Sequence, residues 1–256
     1  MGFIGGEIGY RLLRLCNPSG DNQFCGSNDP YEGRSKLDTF FGDEFWAEVA
    51  ANVVLDFGCG FGAEAIEIAQ RGAKRVIGLD IRPQVIDAAR QNAEKNNVSD
   101  RCVFTTQVDD PVDVIVSLDA FEHFEDPEGI LRVMSRLVRP EGSVWVVFGP
   151  PWYHPIGGHL FSVFPWAHLI FTERALIRWR SDFKTDGATR FHEVEGGLNQ
   201  MTIKRFLRIV EKSPFQCDHC ELIPIRRARF LFSRLTREYF TSCVKCRLVL
   251  KNRSPV

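Results

Sequence analysis

Short apolar runs alternate with helical patterns along the middle of the chain. The runs predict five strands, and the fifth, SVWVVF, ends the series. Between the runs, apolar residues recur at helical spacing, and Asp126 with Pro127 gives one helix an N-cap acid and a first-turn proline. This alternation predicts an α/β fold with a doubly wound, mostly parallel sheet. The five runs are residues 53–56, 75–79, 101–106, 113–117 and 143–148.

The pattern differs on both sides of this region. Residues 149–200 are long for a connection and rich in aromatic side chains, so we expect a cap after the fifth strand. Thr202 precedes a predicted amphipathic helix, and two strand-like runs follow that helix. The residues before 36 are rich in glycine and polar side chains and are expected to pack loosely. We divide the chain into an N-terminal extension, a core, a cap and a C-terminal part, over residues 1–35, 36–150, 151–200 and 201–256.

Composition limits the class of protein. The chain has 256 residues, of which 44% are hydrophobic, enough for one large α/β domain with an insertion. A net charge of −1 gives no overall electrostatic signal for nucleic acid. The longest aromatic-apolar segment, residues 160–171, is interrupted by Pro165 and is too short to cross a bilayer. No signal-peptide pattern opens the sequence, so we expect a soluble, cytoplasmic protein.

A glycine-rich turn follows the first predicted strand, in the sequence VVLDFGCGFGAEA. Such a turn, placed before a helix, is expected to offer bare backbone N–H groups to a ligand. Gly58, Gly60 and Ala63 satisfy the dinucleotide pattern G-x-G-x-x-A, so an NAD-dependent oxidoreductase is one alternative. Asp56 argues against it, because a carboxylate two residues before the first glycine would repel a pyrophosphate. The same carboxylate can accept a hydrogen bond from an ammonium group.

The run LDFGCGFG resembles the first motif of class I S-adenosylmethionine-dependent methyltransferases, and LDAFEHF resembles their fourth. The chain is similar to the small-molecule enzymes of the ubiquinone pathway in these motifs. The resemblance implies a Rossmann-like, seven-stranded sheet whose end is antiparallel, and S-adenosyl-L-methionine as cofactor. It assigns the ribose hydroxyls to Asp80, the adenine ring to Ile81 and the adenine amine to Asp109 or Asp110. The full implied set of cofactor residues is Asp56, Phe57, Gly58, Cys59, Gly60, Asp80, Ile81, Asp109 and Ser117.

The acceptor side of the reaction is less defined. Methyl transfer chiefly requires positioning and exclusion of water, and a base is needed only when the nucleophile holds a proton. His123, His154 and His159 are the candidate bases, because imidazole titrates near neutral pH. Trp152 and Tyr153 follow the fifth strand and are expected to lie over the cofactor crevice and bind substrate. The aromatic cap favours a small, apolar or aromatic acceptor, with O-methylation ahead of N- or C-methylation.

A divalent metal is an alternative to a base. Asp119, Glu122 and His123 stand at i, i+3 and i+4, so on a helix or turn they would share a face. They resemble an acidic-x-x-Glu-His cluster that can hold a metal in ubiquinone-pathway O-methyltransferases. Such an ion would lower the pKa of a phenolic acceptor. We favour a mechanism without metal.

Two C-x-x-C pairs stand out among the eight cysteines, Cys217 with Cys220 and Cys243 with Cys246. Their spacing is compatible with zinc. Both pairs fall in predicted strands, however, where residues three apart point to opposite faces. We therefore favour free thiols in a reducing compartment over a zinc site.

Residues 225–240 combine arginines with aromatic and aliphatic side chains. We interpret them as a helix with a solvated face and a buried back. Contact with anionic lipid, RNA or an acidic substrate is the alternative. An RNA or protein methyltransferase therefore stays open, as does a cofactor-binding partner without turnover.

Overall fold

The apolar runs of the sequence form the central sheet. In the computed structural model, which describes residues 2–20, 33–194 and 196–251, the sheet has seven strands. The strands are β1 (Val53–Phe57), β2 (Arg75–Leu79), β3 (Cys102–Thr105), β4 (Val112–Leu118), β5 (Val138–Phe148), β6 (Phe215–Pro224) and β7 (Thr241–Leu250). Their spatial order is β3-β2-β1-β4-β5-β7-β6, with β1 to β5 parallel and the last two antiparallel to their neighbours. The Rossmann-like, seven-stranded sheet with its antiparallel end is thus confirmed.

Ten α-helices flank the sheet in the described part of the chain. Two N-caps predicted from sequence are present: the Asp126 carboxylate accepts from the Gly129 N–H at 2.8 Å, and the Thr202 hydroxyl accepts from the Arg205 N–H at 3.0 Å. The helices are α1 (Gly6–Cys16), α2 (Lys36–Phe40), α3 (Gly42–Val49), α4 (Ala63–Gln70), α5 (Pro83–Lys95), α6 (Pro127–Leu137), α7 (Ala167–Ile170), α8 (Glu173–Ser181), α9 (Ile203–Lys212) and α10 (Arg237–Phe240).

Each face of the sheet buries its own hydrophobic core. Val54 and Leu55, adjacent on β1, are both fully buried, one in each core. The first core includes residues of α2 to α5, and the second includes residues of α6 and α9. Burial on both faces accounts for the uninterrupted apolar strands that the sequence shows.

The cap has a third core of its own, and the N-terminal helix belongs to it. Leu13 of α1 is fully buried in a cluster with Leu176 and Trp179 of α8. Ile4 extends the contact by forming a parallel bridge with Phe171. The expected loose packing of the N-terminal extension is therefore wrong for residues 2–20; residues 21–32 lie outside the described ranges. The prediction failed because α8, the packing partner of α1, lies far along the chain from it.

The arginine-rich segment between β6 and β7 also departs from expectation. It forms a 3₁₀ turn, Arg226–Leu231, and the short α10, and neither contains a buried residue. Phe230 is 84% exposed and Leu235 is 92% exposed, so the predicted buried back does not exist. Within the described ranges, no helix is long and apolar enough to cross a membrane.

Candidate active site

A cleft opens at the carboxyl ends of the parallel strands, where the strand order reverses between β1 and β4. Its volume is about 1010 Å³. Residues after β1, β2 and β4 form its floor and walls, and the cap contributes His192 and Gly197. The lining is Phe57, Gly58, Leu79, Asp80, Ile81, Arg82, Thr106, Asp119, Ala120, His123, Phe124, Glu125, Asp126, Gly129, Ile130, Arg132, Val133, Arg136, His192, Gly196 and Gly197.

The glycine turn after β1 has a backbone that only glycine adopts easily. Gly58, Gly60 and Gly62 have φ values of 88°, 50° and 83°. At Gly62 an added Cβ would lie 2.6 Å from the Phe104 ring, so that glycine permits close packing. At Gly60 an added Cβ would meet nothing within 4 Å, so the backbone there borders open space. A ligand can therefore approach the main chain at Gly60.

Several N–H groups of this turn are bonded within the protein, so the turn offers fewer bare donors than predicted. The Gly58 and Cys59 N–H groups donate to the Leu79 carbonyl oxygen at 2.8 and 2.9 Å, and the Gly60 N–H donates to Asp80 Oδ2 at 3.2 Å. These bonds join the turn to the end of β2. The glycines thus provide a surface that a ligand can contact. Their backbone N–H groups hold the glycine turn against the end of β2.

Asp56 is a buried carboxylate beneath the turn. Its residue exposure is 3%, and Ala65 at the start of α4 donates a backbone hydrogen bond to it. Its Oδ2 is buried and has no hydrogen-bond partner among the described residues. Desolvation and the charge of Glu64 raise its pKa well above the ordinary value. An approaching cation would satisfy this orphaned oxygen and stabilise the ionised form.

Asp80 lies at the mouth of the cleft and is paired with a residue that the motif did not identify. Arg82 donates to Asp80 through Nε and Nη2, both at 3.0 Å, and its own N–H adds a third bond. Burial alone would raise the pKa of Asp80, but the bonds from Arg82 and Gly60 outweigh burial and lower it. Ile81 is 87% exposed and forms an apolar shelf beside this pair.

Five of the nine residues of the implied cofactor set do not line the cleft: Asp56, Cys59, Gly60, Asp109 and Ser117. Asp109 is exposed and accepts from Gln107 Nε2 at 3.2 Å, and the cleft wall is formed by Thr106 instead. Ser117 is fully buried and donates to the Phe57 carbonyl oxygen at 3.0 Å. Cys59 is also buried. Both buried residues fix the ends of β1, and neither side chain lines the cleft in the described structure.

The LDAFEHF segment turns sharply after β4. Asp119 has φ of 49° and accepts from Lys36 Nζ at 2.9 Å. Glu122 points inward, where its carboxylate accepts from the Gly149 N–H at 3.0 Å and burial raises its pKa to about 8. His123 faces the cleft, and its Nδ1 lies 2.9 Å from the Gly197 carbonyl oxygen. Since a carbonyl only accepts, Nδ1 donates, and the neutral ring keeps its lone pair on Nε2.

The metal alternative is not supported at this turn. Asp119, Glu122 and His123 each point to a different partner, because the segment is an irregular turn rather than a helix. In the described ranges, the one set of three metal-ligating side chains with converging ligand atoms consists of cysteines and lies outside the cleft. We therefore derive no step through a metal here.

The substrate-binding and base residues predicted at the start of the cap mostly pack inside the cap. Trp152 is 7% exposed, with its ring 4.7 Å from that of His168, and Tyr153 packs against Tyr239. His154 is buried, its Nδ1 accepts from the Ile156 N–H at 3.1 Å, and burial lowers its pKa to about 4. Of the described lining residues, none is Trp152, Tyr153 or His154, so their predicted place over the crevice is wrong. Trp152 belongs to the third core, and Tyr153 packs against it.

His159 occupies an intermediate position. Its ring centroid is 5.4 Å from that of His123, and burial lowers its pKa to about 3. It is therefore a neutral ring at physiological pH, packed behind His123 rather than lining the cleft in the described structure.

The roof of the cleft comes from the later part of the cap. His192, Gly196 and Gly197 line it, and the Gly197 carbonyl oxygen orients His123. In the sequence these residues belong to a polar run that ends in two glycines.

A profile described as a methyltransferase domain matches residues 55–146. The ubiquinone biosynthesis O-methyltransferase of Neisseria meningitidis serogroup A is 37% identical over 106 residues, which are 39% of this chain and 44% of that protein. The ribosomal protein L11 methyltransferase of Aeromonas hydrophila is 48% identical over 96 residues, 38% of this chain and 32% of that protein. Residues 55–146 form a class I S-adenosylmethionine-dependent methyltransferase domain.

The similarity to the curated relatives named above covers less than two fifths of this chain. The chain spans less than half the length of the curated relatives named above. A solved structure of magnesium protoporphyrin IX methyltransferase (ChlM) from Synechocystis PCC 6803 with bound SAM has a TM-score of 0.55. It is 16% identical and covers 96% of this chain and 92% of that one, so it shows a shared fold over the cap as well.

S-adenosylmethionine fits the residues of the methyltransferase domain. The orphaned Oδ2 of Asp56 matches an ammonium donor, and the open space at Gly60 admits a ligand against the main chain. Asp80 offers carboxylate oxygens for ribose hydroxyls, with Ile81 exposed beside it as an apolar surface for a base.

Proposed function

We propose that this chain is an S-adenosylmethionine-dependent methyltransferase that acts on a small acceptor. One observation carries the proposal: Gly58, Asp80 and Ile81 line the same cleft as His123. A cofactor held by the first three residues would present its reactive end toward the histidine. The cofactor supplies an electrophilic methyl group on its sulfonium.

The protein's own residues would hold and orient the two reactants. Asp80 accepts from the ribose hydroxyls, and Arg82 holds its carboxylate in place. Asp56 attracts the cationic end of the cofactor. The roof at Gly196 and Gly197 covers the reacting groups and excludes water, which favours an in-line displacement.

The acceptor is proposed to be apolar or aromatic, with a hydroxyl as the favoured methylated group. Phe57, Phe124, Ile130 and Val133 supply apolar surface to the same cleft. His123 Nε2 is the proton acceptor, because Nδ1 is committed to Gly197. His154 and His159 are not proposed as bases, since burial holds both pKa values at about 4 or below.

Calorimetric binding and turnover test this proposal. We expect S-adenosylhomocysteine to bind more tightly than NAD, and the reverse order would favour an oxidoreductase. Labelled S-adenosylmethionine incubated with an extract, followed by mass spectrometry, identifies the acceptor. With that acceptor, His123→Gln should lower kcat about 100-fold and leave cofactor affinity unchanged. Binding without any methylated product would indicate a partner without turnover.

A second candidate is methylation of RNA or protein. The exposed segment 225–240 joins β6 and β7 at the same edge as the cleft, because Phe148 at the end of β5 pairs with Val244. It combines exposed Arg226 and Arg227 with exposed Phe230. The relatives named for ribosomal protein L11 agree with this alternative. Replacing Arg226 and Arg227 by alanine should abolish turnover in this case and leave it intact for a small acceptor.

A further inference from the structure

Three cysteines converge at the outer edge of the sheet, far along the chain from the cleft residues. The sequence predicts no such convergence, because Cys217 and Cys220 are three residues apart and would point to opposite faces of a regular strand. The pairing register explains the difference: Cys217 pairs with Leu248, His219 with Arg247 and Cys220 with Cys246. The partner strand advances by two residues while β6 advances by three. This β-bulge at Asp218 puts Cys217 and Cys220 on the same face.

The sulfur atoms of this cysteine triad are close together. Cys246 Sγ lies 3.1 Å from Cys220 Sγ across the ladder. The ligand atoms of Cys217, Cys220 and Cys246 all lie within 4.8 Å of one another. Cys217 is exposed and Cys246 is fully buried, so the triad has one side open to solvent and one side closed.

The fourth cysteine of the two C-x-x-C pairs is excluded from the site. Cys243 packs against the core on the first face of the sheet, whereas Cys246 is buried in the core on the second face. A four-cysteine zinc knuckle is therefore ruled out by the sheet itself. No His, Asp or Glu ligand atom in the described part of the chain joins the triad within 4.8 Å.

We propose that Cys217, Cys220 and Cys246 bind one Zn²⁺ ion as a three-thiolate site. Zn–S bonds of about 2.3 Å in a tetrahedron place sulfurs about 3.8 Å apart, a spacing this triad can adopt with small side-chain adjustments. Thiolate sulfur is a ligand that suits zinc, whereas the harder divalent cations prefer oxygen ligands. The fourth position would be filled from solvent on the exposed side, next to Cys217.

Charge and protons balance in this arrangement. Binding replaces any thiol protons on the three sulfurs, which pass to solvent, and no electron is transferred. Three thiolates and Zn²⁺ leave one net negative charge, and Arg237 is a cation that acts electrostatically on Cys220. The ion would connect the edge strand β6 to β7 at its bulge, where the ladder is irregular.

Metal content of the reduced full chain tests the proposal. Protein purified anaerobically with a phosphine reductant and loaded with zinc should retain about one equivalent after gel filtration. Co²⁺ in place of zinc should give thiolate-to-metal charge-transfer bands and the visible bands of tetrahedral cobalt. Cys217→Ser should lose both signals, and Cys243→Ser should keep both. Cys217 is exposed, so its variant should fold, as unchanged S-adenosylhomocysteine binding would show.

Three outcomes would overturn the site. The first is reduced wild-type protein without retained zinc. The second is full zinc retention and an unchanged cobalt spectrum in Cys217→Ser. The third is a Cys220–Cys246 disulfide that persists in reductant and prevents loading, which would make the triad a covalent cross-link instead. Protein that retains zinc but transfers no methyl group would contradict the proposed function without contradicting the metal site.

Discussion

Asp80 provides the sharpest test of where the cofactor lies. The proposed pose has both ribose hydroxyls donating to its carboxylate, which is 7% exposed and held by Arg82. A hydrogen bond to a charged group contributes about 1.5 kcal/mol net at the lower end of its range. Two such bonds amount to about 3 kcal/mol, or about 100-fold in Kd. Asp80→Ala should therefore weaken S-adenosylhomocysteine binding by about two orders of magnitude.

Titration calorimetry of wild type, Asp80→Ala and a matched control measures this effect. Asp87→Ala is the control, because Asp87 is an exposed acid on α5, the helix that follows Asp80, and its salt bridge to Arg90 lies on the surface. Its affinity should match wild type. Asp80 also accepts from the Gly60 N–H, so ligand-free melting curves must accompany the titrations.

The result that refutes the reasoning is an Asp80→Ala variant that melts like wild type and binds within about threefold of it. Ribose would then lie outside the reach of Asp80, and the cleft would hold the cofactor in another orientation. If Asp80→Ala both binds weakly and melts early, loss of the Gly60 contact is a second explanation. Asp80→Asn separates the two, because it keeps an acceptor oxygen for the Gly60 N–H. That variant should melt normally and still bind weakly.

Three further predictions concern stability. Leu13→Ala should destabilise the protein by about 2–5 kcal/mol, since Leu13 is fully buried. Glu122 titrates near 4.5 when unfolded and at about 8 when folded, so its ionisation opposes folding as pH rises through that window. The free energy of unfolding of the wild type should fall by roughly 4 kcal/mol between those pH values. Glu122→Gln should abolish this decrease. Gly62→Ala should lower the Tm, because its Cβ would meet the Phe104 ring.

Urea unfolding and melting curves check these values against matched controls. Leu15, also on α1, is 79% exposed, and Leu15→Ala should change little. Equal effects of the two leucine variants would contradict the burial of α1. A pH dependence that survives in Glu122→Gln would assign it to Asp56 instead. Gly72 also has a positive φ, 100°, but an added Cβ there would meet no atom within 4 Å. If Gly72→Ala lowers the Tm as much as Gly62→Ala does, backbone strain alone accounts for both decreases.

The core of the fold was predictable because its signals are local. The strand runs, the Asp126 and Thr202 caps and the glycine turn each depend on a few adjacent residues, and all are present. Asp80 and Ile81 at the cleft mouth follow from their position after β2. Periodicity and turn chemistry carry this information without knowledge of distant neighbours.

The failures involve residues whose position depends on a distant segment. Trp152 and Tyr153 were predicted as substrate contacts, but a core that includes Leu13 draws Trp152 inward and Tyr239 covers Tyr153. His192 and Gly197 joined the site although no motif marks them. A β-bulge moved Cys217 to the face of Cys220, and an extra residue in a strand leaves no mark in hydrophobic alternation.

The union of α1 with α8 has a consequence for synthesis of the chain. Ile4 bridges to Phe171 and Leu13 packs with residues of α8, so α1 meets its partner only after the five parallel strands have been translated. At ordinary elongation rates that interval is roughly ten to thirty seconds. During it the apolar side of α1, which carries Leu13, stays uncovered beside the ribosome. The order of translation thus leaves Leu13 without its native partners until α8 has emerged.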